Sequence, residues 1–323
     1  MTDHLELAAE GLSLVDRASI DEAIRAARAP GTRRTYASAW RSWETWCVGR
    51  GVNAFPADPM LVAAHLAERH SAGVSTSRLD VTVAAIRARH IDEGLEDPTA
   101  VRGVQLVVRG LRRIDAGERA VKQAHPLTVA EVRRMLGTLD RATLAGKRDA
   151  AILLIGFAGA LRRSEISNLR VSDLSFKADG VVVRLRKSKS DQEGAGAFVG
   201  VVRGAHQDTD PVSALRDWLG AAGLATAGPL FVRVRRGGHV DRVSLHPDTV
   251  NAIVKRMACC AGLSDLPISA HSLRAGHATV AAEAGVPASR LARTTRHADL
   301  RTLAMYVRPG EVLRDTSSGS LGL

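Results

Sequence analysis

The 323-residue chain lacks long apolar runs. Its longest stretch of low polarity covers at most 13 residues, from Asp149 to Leu161, and is followed by two arginines. A membrane-spanning helix needs about 20 consecutive apolar residues, so we expect no membrane span. The first residues, MTDHLELAAEGL, also lack the basic and apolar segments of a secretory signal. We therefore expect a cytoplasmic protein.

Cysteine is scarce as well, because Cys47 stands alone and Cys259 and Cys260 are adjacent. This arrangement provides neither a disulfide framework nor a CxxC metal pair. The sequence also contains no P-loop, no HExxH motif and no obvious carboxylate cluster that would hold Mg²⁺. We therefore expect structural thiols in a reducing compartment, no metal site and no cofactor.

Lysine is rare among the basic residues, since 39 of the 45 are arginine and only six are lysine. The net charge is +11 and the sequence pI is about 10.5, which favours polyanions as partners. The planar fork of arginine suits bidentate contacts to phosphate. An apolar content of 45% and a mean hydropathy of −0.04 indicate a globular chain, whose length allows two domains.

The first 115 residues predict a compact, all-helical domain. Apolar residues recur every three or four positions over residues 31–50 and 75–93, which indicates two amphipathic helices. Helix-start signals lie at Ser19 with Glu22, at Asp58-Pro59 and at Asp97-Pro98.

Residues 116–127 lose this periodicity and predict an exposed basic linker to a second domain over residues 128–323. Thr128 and Glu131 form a capping box there, and an apolar helix follows over residues 147–160. Strand patterns over residues 181–187 and 197–203 predict a β-hairpin in this otherwise helical domain. Further helices are expected after Asp210-Pro211 and His246-Pro247, from about residue 268, and over residues 299–307.

Candidate chemistry begins with His271 and Arg274, because an i,i+3 spacing puts both side chains on one helix face. A second cluster follows, with Arg296 and His297, and Tyr306 nine residues later. Spacing alone leaves a solvated His–Arg pair and a packing tyrosine as alternatives. The other tyrosine, Tyr36, lies on an apolar stripe and is expected in the core.

Two further pieces precede these clusters. Arg162 lies where the apolar helix ends and a second helix begins, so a rigid base would hold its side chain. An ion pair with Glu165 is the structural alternative for it. Lys187 and Lys189 lie at the predicted hairpin tip, where a cation on a loop could enter a site from above.

Taken together, these residues resemble the tyrosine recombinase, or phage integrase, family over essentially the whole chain. The stretch from Ala160 to Glu165 is similar to the family's GLRxSE motif, and His271 to Arg274 to its HxxR box. Lys189 matches the hairpin lysine best, with Lys187 as the competitor. His297 matches the later histidine, and Tyr306 matches the terminal nucleophile.

The chain departs from the family pattern at two positions. Arg296 stands before His297 where relatives usually carry Gly, and Arg lacks the easy positive φ of Gly. Arg296 could distort the turn that presents His297 or add a DNA contact, and the sequence leaves both open. His277 stands where an aromatic residue or Thr is more usual.

The resemblance implies a mainly α, two-domain DNA clamp with a small β-sheet in its catalytic domain. It implies a site-specific recombinase that breaks and rejoins DNA through a 3′-phosphotyrosyl link, with no ATP. Arg162, Arg274 and His297 would stabilise the phosphate, His271 would act as base, Lys189 as acid and Tyr306 as nucleophile.

The implied partners are double-stranded DNA sites, three further copies of the chain in a homotetramer, and in some systems an accessory protein. Such an enzyme would belong to a bacterium, phage or mobile element. A non-catalytic DNA-binding regulator and a type IB topoisomerase-like enzyme are the alternative functions. Candidate DNA contacts in the helical domain are Arg33, Arg34, Arg78 and Arg87.

Overall fold

The computed structural model describes residues 13–118, 124–186 and 196–296. The chain divides into two compact units, Met1–Val121 and Lys122–Leu323. Within the described ranges both units are mainly helical, and the strands belong to the second unit. The fold class is therefore the predicted one, mainly α with small antiparallel sheets in the C-terminal domain.

The first unit contains five α-helices in its described part. Asp58 caps the third of them with its side chain on the amides of Met60 and Leu61, as the Asp-Pro signal predicts. The helices are α1 (Leu14–Ala26), α2 (Pro30–Gly49), α3 (Pro59–Ser71), α4 (Thr76–Asp92) and α5 (Arg102–Glu118).

The core of the first unit forms where α2, α3, α4 and α5 pack together. Trp43 and Cys47 of α2 are fully buried with Leu66 of α3 and Ile86 of α4. His65 lies edge-on to Trp43, with 5.3 Å between the ring centroids. The apolar stripes that predict helices over residues 31–50 and 75–93 thus form this core.

The second unit contains seven α-helices and five strands in its described part. Their order places three strands between the eighth and ninth helices. The helices are α6 (Val129–Gly137), α7 (Leu144–Ala158), α8 (Arg163–Asn168), α9 (Pro211–Ala222), α10 (Pro247–Cys260), α11 (Ala270–Glu283) and α12 (Ala288–Thr295). The strands are β1 (Leu174–Phe176), β2 (Gly180–Leu185), β3 (Ala197–Val202), β4 (Val232–Val234) and β5 (Val240–Ser244).

The strands form two antiparallel sheets. The predicted hairpin is β2 paired with β3, with Val183 opposite Val199. The structure adds β1 on the other side of β2, with Leu174 opposite Val183, so that the sheet has three strands. Strands β4 and β5 form a separate pair. Three-residue strands such as β1 and β4 are too short to show the alternation by which strands are predicted.

Helix α7 forms the centre of the second unit. Every residue from Ala150 to Ile155 is buried, which explains why its sequence is apolar on all sides rather than on one stripe. Helices α9 and α11 pack against α7, and Leu273 of α11 is fully buried in the same core. The end of α7 and the start of α11 are therefore held on one rigid base.

Two predicted helix starts need correction. Helix α1 begins at Leu14, because Ser13 and Asp16 form the capping box, so Ser19 lies inside the helix. Asp97 caps only a short 3₁₀ turn, and α5 begins at Arg102.

The predicted linker, residues 116–127, is structured at both ends. Helix α5 runs on to Glu118, and Asp115 accepts hydrogen bonds from the amide of Thr76 and from His70. At the other end, Leu127 is fully buried in the core of the second unit. Residues 119–123 lie outside the described ranges.

The three cysteines are placed differently. Cys47 is buried in the core of the first unit, and burial raises the pKa of its thiol. Cys259 and Cys260 are exposed at the end of α10. Within residues 13–118, 124–186 and 196–296, no helix is long and apolar enough to cross a membrane.

Candidate active site

The site begins at the turn between α7 and α8. Ala160 has a φ of 48°, in the left-handed region. Its carbonyl accepts hydrogen bonds from Arg274 and Arg296. Arg162 is the N-cap residue of α8, and Glu165 reaches back to its amide at 2.8 Å. The carboxylate of Glu165 thus occupies the positive end of α8 and fixes the backbone from which Arg162 projects.

The guanidinium of Arg162 is held at two points. Its Nη1 donates to Oε1 of Glu165 at 2.7 Å, and its Nη2 donates to the carbonyl of Arg296 at 3.3 Å. The side chain of Arg162 is 21% exposed, whereas that of Glu165 is only 2% exposed. Arg162 therefore presents a fixed cation to solvent from a buried base.

Helix α11 supplies the second arginine and the histidine. Ser269 caps this helix with its hydroxyl oxygen, which accepts from the amide of His271 at 3.2 Å. Arg274 lies one turn later and is buried, and its Nη1 donates to the carbonyl of Ala160 at 2.9 Å. This hydrogen bond ties Arg274 to the α7–α8 turn, two residues before Arg162.

Gly276 lets α11 approach the chain closely. A Cβ atom at this position would lie 2.2 Å from the carbonyl oxygen of Leu127. The amide of Leu127 also donates to the carbonyl of Ser272 at 3.3 Å. The segment before α6 is therefore seated directly on the helix that carries His271 and Arg274.

His271 faces this pair of cations. Its side chain keeps an exposed face, yet the surrounding protein atoms, Arg274 and Arg162 all lower its pKa. A lowered pKa keeps the imidazole neutral near pH 7, which is the form that can accept a proton. The arrangement can therefore bind an oxyanion between two guanidinium groups and remove a proton beside it.

Arg296 turns inward at the end of α12. Its φ is 55° and its ψ is 47°, and its side chain is only 8% exposed. Its Nη2 donates to Oε2 of Glu165 at 2.7 Å and to the carbonyl of Ala160 at 3.0 Å. In the structure described, the side chain of Arg296 therefore binds within the protein and does not extend to the surface.

His277, the second departure, lies behind the site. Its Nδ1 is 3.0 Å from the carbonyl of Phe157 near the end of α7. Burial lowers its pKa, and the charges of Arg274 and Arg296 lower it further. It is therefore a neutral packing residue between α7 and α11 rather than a group exposed to a substrate.

The structure thus brings together Arg162, His271 and Arg274 of the predicted site. Lys187, Lys189, His297 and Tyr306 lie outside the described residues. The sequence did not predict that the side chain of Arg296 binds Glu165. The available signal was that Arg stands before His297 where relatives usually carry Gly. Within the described ranges, no group of three or more His, Cys, Asp or Glu residues could hold a metal ion.

The candidate DNA contacts of the first unit lie on two helices. Arg33 and Arg34 are exposed on α2, and Arg78 and Arg87 are exposed on α4. Arg87 also pairs with Asp97, with 3.3 Å between Nε and Oδ2. The other three are available on the surface for an anionic partner.

Comparisons with known proteins agree on one family. The model of the phage integrase family matches residues 126–311, which include all six predicted catalytic positions. An integrase/recombinase XerD homologue of Selenomonas ruminantium is 30% identical over 300 residues, covering 91% of this chain and 86% of that protein. The recombinase Cre of Escherichia phage P1 is 27% identical over 290 residues, covering 84% of this chain and 82% of Cre.

Solved structures show the same fold. A lambda integrase (75–356) dimer bound to a COC′ core site matches with a TM-score of 0.57 and 18% identity, over 92% of this chain and 96% of that chain. The XerH site-specific recombinase in a post-cleavage complex with palindromic difH substrate matches with a TM-score of 0.56 and 19% identity, over 82% and 72%. The chain therefore belongs to the phage integrase family and is a tyrosine-type site-specific recombinase.

Proposed function

We propose that the protein cleaves and rejoins the strands of double-stranded DNA at defined sites through a 3′-phosphotyrosyl intermediate on Tyr306. The observation that carries this proposal is that Arg274 is hydrogen-bonded to the α7–α8 turn that leads into Arg162, and that His271 faces the charges of both arginines, in a member of this family. Two fixed guanidinium groups suit a phosphodiester, because negative charge spreads over its non-bridging oxygens in the transition state.

The reaction exchanges one phosphate ester for another. The phenolic oxygen of Tyr306 attacks the scissile phosphorus, a bond from phosphorus to this oxygen forms, and the bond to the 5′ oxygen breaks. The phenol has a pKa near 10 and gives its proton to His271, whose lowered pKa keeps it neutral. Lys189 gives a proton to the leaving 5′ oxygen, with Lys187 as the competing donor.

The second half of the reaction reverses the first. A 5′ hydroxyl attacks the phosphotyrosine, the strand is rejoined, and Tyr306 recovers its proton. Because the ester bond is conserved throughout, no ATP is consumed. His297 is the third donor to the non-bridging oxygens in this scheme.

The assembly that we propose has both units on DNA. The helical unit of residues 1–115 contacts the duplex through Arg33, Arg34, Arg78 and Arg87, and residues 128–323 form the catalytic domain. The linker of residues 116–127 joins them. Four copies act on two DNA sites, with an accessory protein in some settings, in the cytoplasm of a bacterium or of a cell that carries a phage or mobile element.

The two tyrosines of the chain offer a matched test. Wild-type protein, Tyr306→Phe and Tyr36→Phe are incubated with nicked DNA fragments from the genomic neighbourhood of the gene and separated by denaturing electrophoresis. We expect a protein–DNA adduct with wild type and Tyr36→Phe, and none with Tyr306→Phe, because only Tyr306 supplies the attacking oxygen. All three proteins should retard DNA in a native gel.

Other outcomes would favour the alternative functions. An adduct formed by Tyr306→Phe would contradict the assignment of Tyr306 as the nucleophile. DNA retardation without an adduct on any fragment would indicate a binding regulator. Relaxation of supercoiled DNA of any sequence, with no exchange between sites, would indicate a topoisomerase-like enzyme.

A further inference from the structure

The end of α12 carries a feature that the family resemblance does not explain. Arg296 occupies the left-handed region, which glycine adopts without steric conflict and which a long side chain adopts at a cost. Its amide donates to the carbonyl of Ala292 and closes the helix in the usual left-handed manner. The backbone at this position would therefore tolerate glycine, so the reason for arginine must lie in its side chain.

The side chain of Arg296 is bound at four points. Nη1 donates to the carbonyl of Thr294 at 2.6 Å and to that of Gly159 at 3.4 Å. Nη2 donates to the carbonyl of Ala160 at 3.0 Å and to Glu165 at 2.7 Å. The guanidinium thus joins the end of α12 to the turn between α7 and α8, which is the turn that presents Arg162.

Glu165 is shared between two arginines. Its Oε1 accepts from Nη1 of Arg162, whereas its Oε2 accepts from the amide of Arg162 and from Nη2 of Arg296. Without Arg296, this buried carboxylate would offset the whole charge of Arg162. With Arg296, the three side chains carry a net charge of +1 next to the exposed part of Arg162.

The main chain of Arg296 acts on the same group. Its carbonyl accepts from Nη2 of Arg162 at 3.3 Å, so the two nitrogens at the end of the Arg162 guanidinium have separate fixed acceptors. The position of that carbonyl depends on the left-handed turn, and the side-chain contacts hold the turn in place. Arg296 therefore fixes the direction of the Arg162 side chain through its carbonyl. Through its guanidinium it also offsets the charge of Glu165 beside Arg162.

We propose that Arg296 is a positioning residue for strand cleavage, which aims Arg162 at the scissile phosphate and offsets the charge of Glu165. This inference rests on the proposed function, because it takes Arg162 as a phosphate-binding group. Arg296 does not touch the phosphate in this scheme, and its contribution passes through Glu165 and Arg162.

The first variant is Arg296→Gly, which keeps the backbone geometry and removes the guanidinium. Its matched control is Arg293→Ala, which removes an exposed arginine from the same helix. We measure the rate of covalent adduct formation on nicked DNA at saturating protein, and the DNA dissociation constant separately. We expect Arg296→Gly to cleave at least tenfold more slowly with an affinity within twofold of wild type, and Arg293→Ala to match the wild-type cleavage rate.

Chemical rescue separates positioning from a general loss of structure. Free guanidinium ion at millimolar concentration can occupy the vacated site and should restore part of the cleavage rate of Arg296→Gly, with no effect on Arg293→Ala. Arg296→Lys keeps the charge beside Glu165, but a lysine cannot bind the three carbonyls at once. Its cleavage rate should therefore lie between those of wild type and Arg296→Gly. A wild-type rate for Arg296→Gly or Arg296→Lys would overturn the proposal, as would a loss that lies wholly in DNA affinity.

A titration without DNA keeps this test independent of the proposed function. His277 faces the charges of Arg274 and Arg296, and its Nδ1 lies near the carbonyl of Phe157. NMR titration should therefore show a higher pKa for His277 in Arg296→Gly than in wild type, and an unchanged value would overturn the inward placement of Arg296. If the wild-type protein forms no adduct on any DNA, the proposed function fails and not this placement.

Discussion

At the scale of single residues, His65 is a buried titratable group outside the site. It is 1% exposed and lies edge-on to Trp43 and Trp46, with ring centroids 5.3 and 5.1 Å apart. Within the described residues its Nδ1 is buried without a hydrogen-bond partner. Burial lowers its pKa from 6.5 to about 4, and the charge of Arg69 adds to the effect.

This histidine makes the stability of the first unit depend on pH. The unfolded chain binds a proton at His65 below pH 6.5, whereas the folded unit resists protonation down to about pH 4. The contribution of neutral His65 to the free energy of unfolding is therefore complete above pH 6.5. It falls as the pH decreases to 4, by about 3 kcal/mol at most. Because three of the four tryptophans lie in this unit, denaturant unfolding followed by tryptophan fluorescence reports it.

We expect His65→Phe to lose less stability than wild type between pH 7 and pH 4, since phenylalanine keeps the ring contacts and does not titrate. His70, which pairs with Asp115, stays in both proteins and provides the common background. Equal losses of stability in the two proteins over this range would contradict the assignment.

At the scale of helices and strands, close packing at one glycine positions the site. Gly276 lies in α11 with the main chain of Leu127 directly against it, and a main chain cannot move aside as a flexible side chain can. Gly276→Ala should therefore destabilise the second unit by about 1–3 kcal/mol, as overpacking does in other cores.

Gly220 provides the matched control for this substitution. It lies in α9, and a Cβ atom there would meet nothing within 4 Å. Gly220→Ala should therefore stabilise the protein by roughly 0.5–1 kcal/mol, because alanine favours the helix. Thermal unfolding of both variants gives the comparison, and the same sign for both would show that contact with Leu127 does not matter.

The helices with strong end signals could be predicted from the sequence. Asp58, Thr128 and Asp210 each cap a helix as their motifs predict, because capping depends only on residues within one turn. Ser19 misled the prediction because Ser13 and Asp16 make the same pattern earlier in the chain. Short strands such as β1 escaped it because they form only when β2 is beside them.

The candidate site could be predicted in identity but only partly in geometry. The motif spacing brought out Arg162, His271 and Arg274, and these three lie together in the structure. The inward course of Arg296 could not be predicted, because its partners Gly159 and Ala160 are more than 130 residues away in sequence. The positions of Lys189, His297 and Tyr306 stay predictions, since they lie outside the described residues.

At the scale of the whole molecule, the charge of +11 sets how DNA binding responds to salt. Each phosphate that a cation neutralises releases counterions, so the logarithm of the binding constant should fall steeply and linearly with the logarithm of salt concentration. The paired substitution Arg33→Ala/Arg34→Ala should make this slope shallower by about one for each phosphate contact that is lost.

The control is Arg28→Ala, because Arg28 pairs with Asp92 within the first unit and is not a candidate DNA contact. Fluorescence anisotropy with a labelled duplex at several salt concentrations measures all three proteins. A flat dependence for wild type would contradict phosphate binding by the chain. An unchanged slope in the paired variant would remove Arg33 and Arg34 from the interface.

The placement of the three thiols has a practical consequence for watching the molecule work. A maleimide dye added to the native protein should attach only at Cys259 and Cys260, because Cys47 is buried and its thiol has a raised pKa. The slow appearance of a third label would then mark openings of the helical unit. Dye on Cys259 and Cys260 thus reports on the second unit, and the labelling rate of Cys47 measures local opening of the first unit.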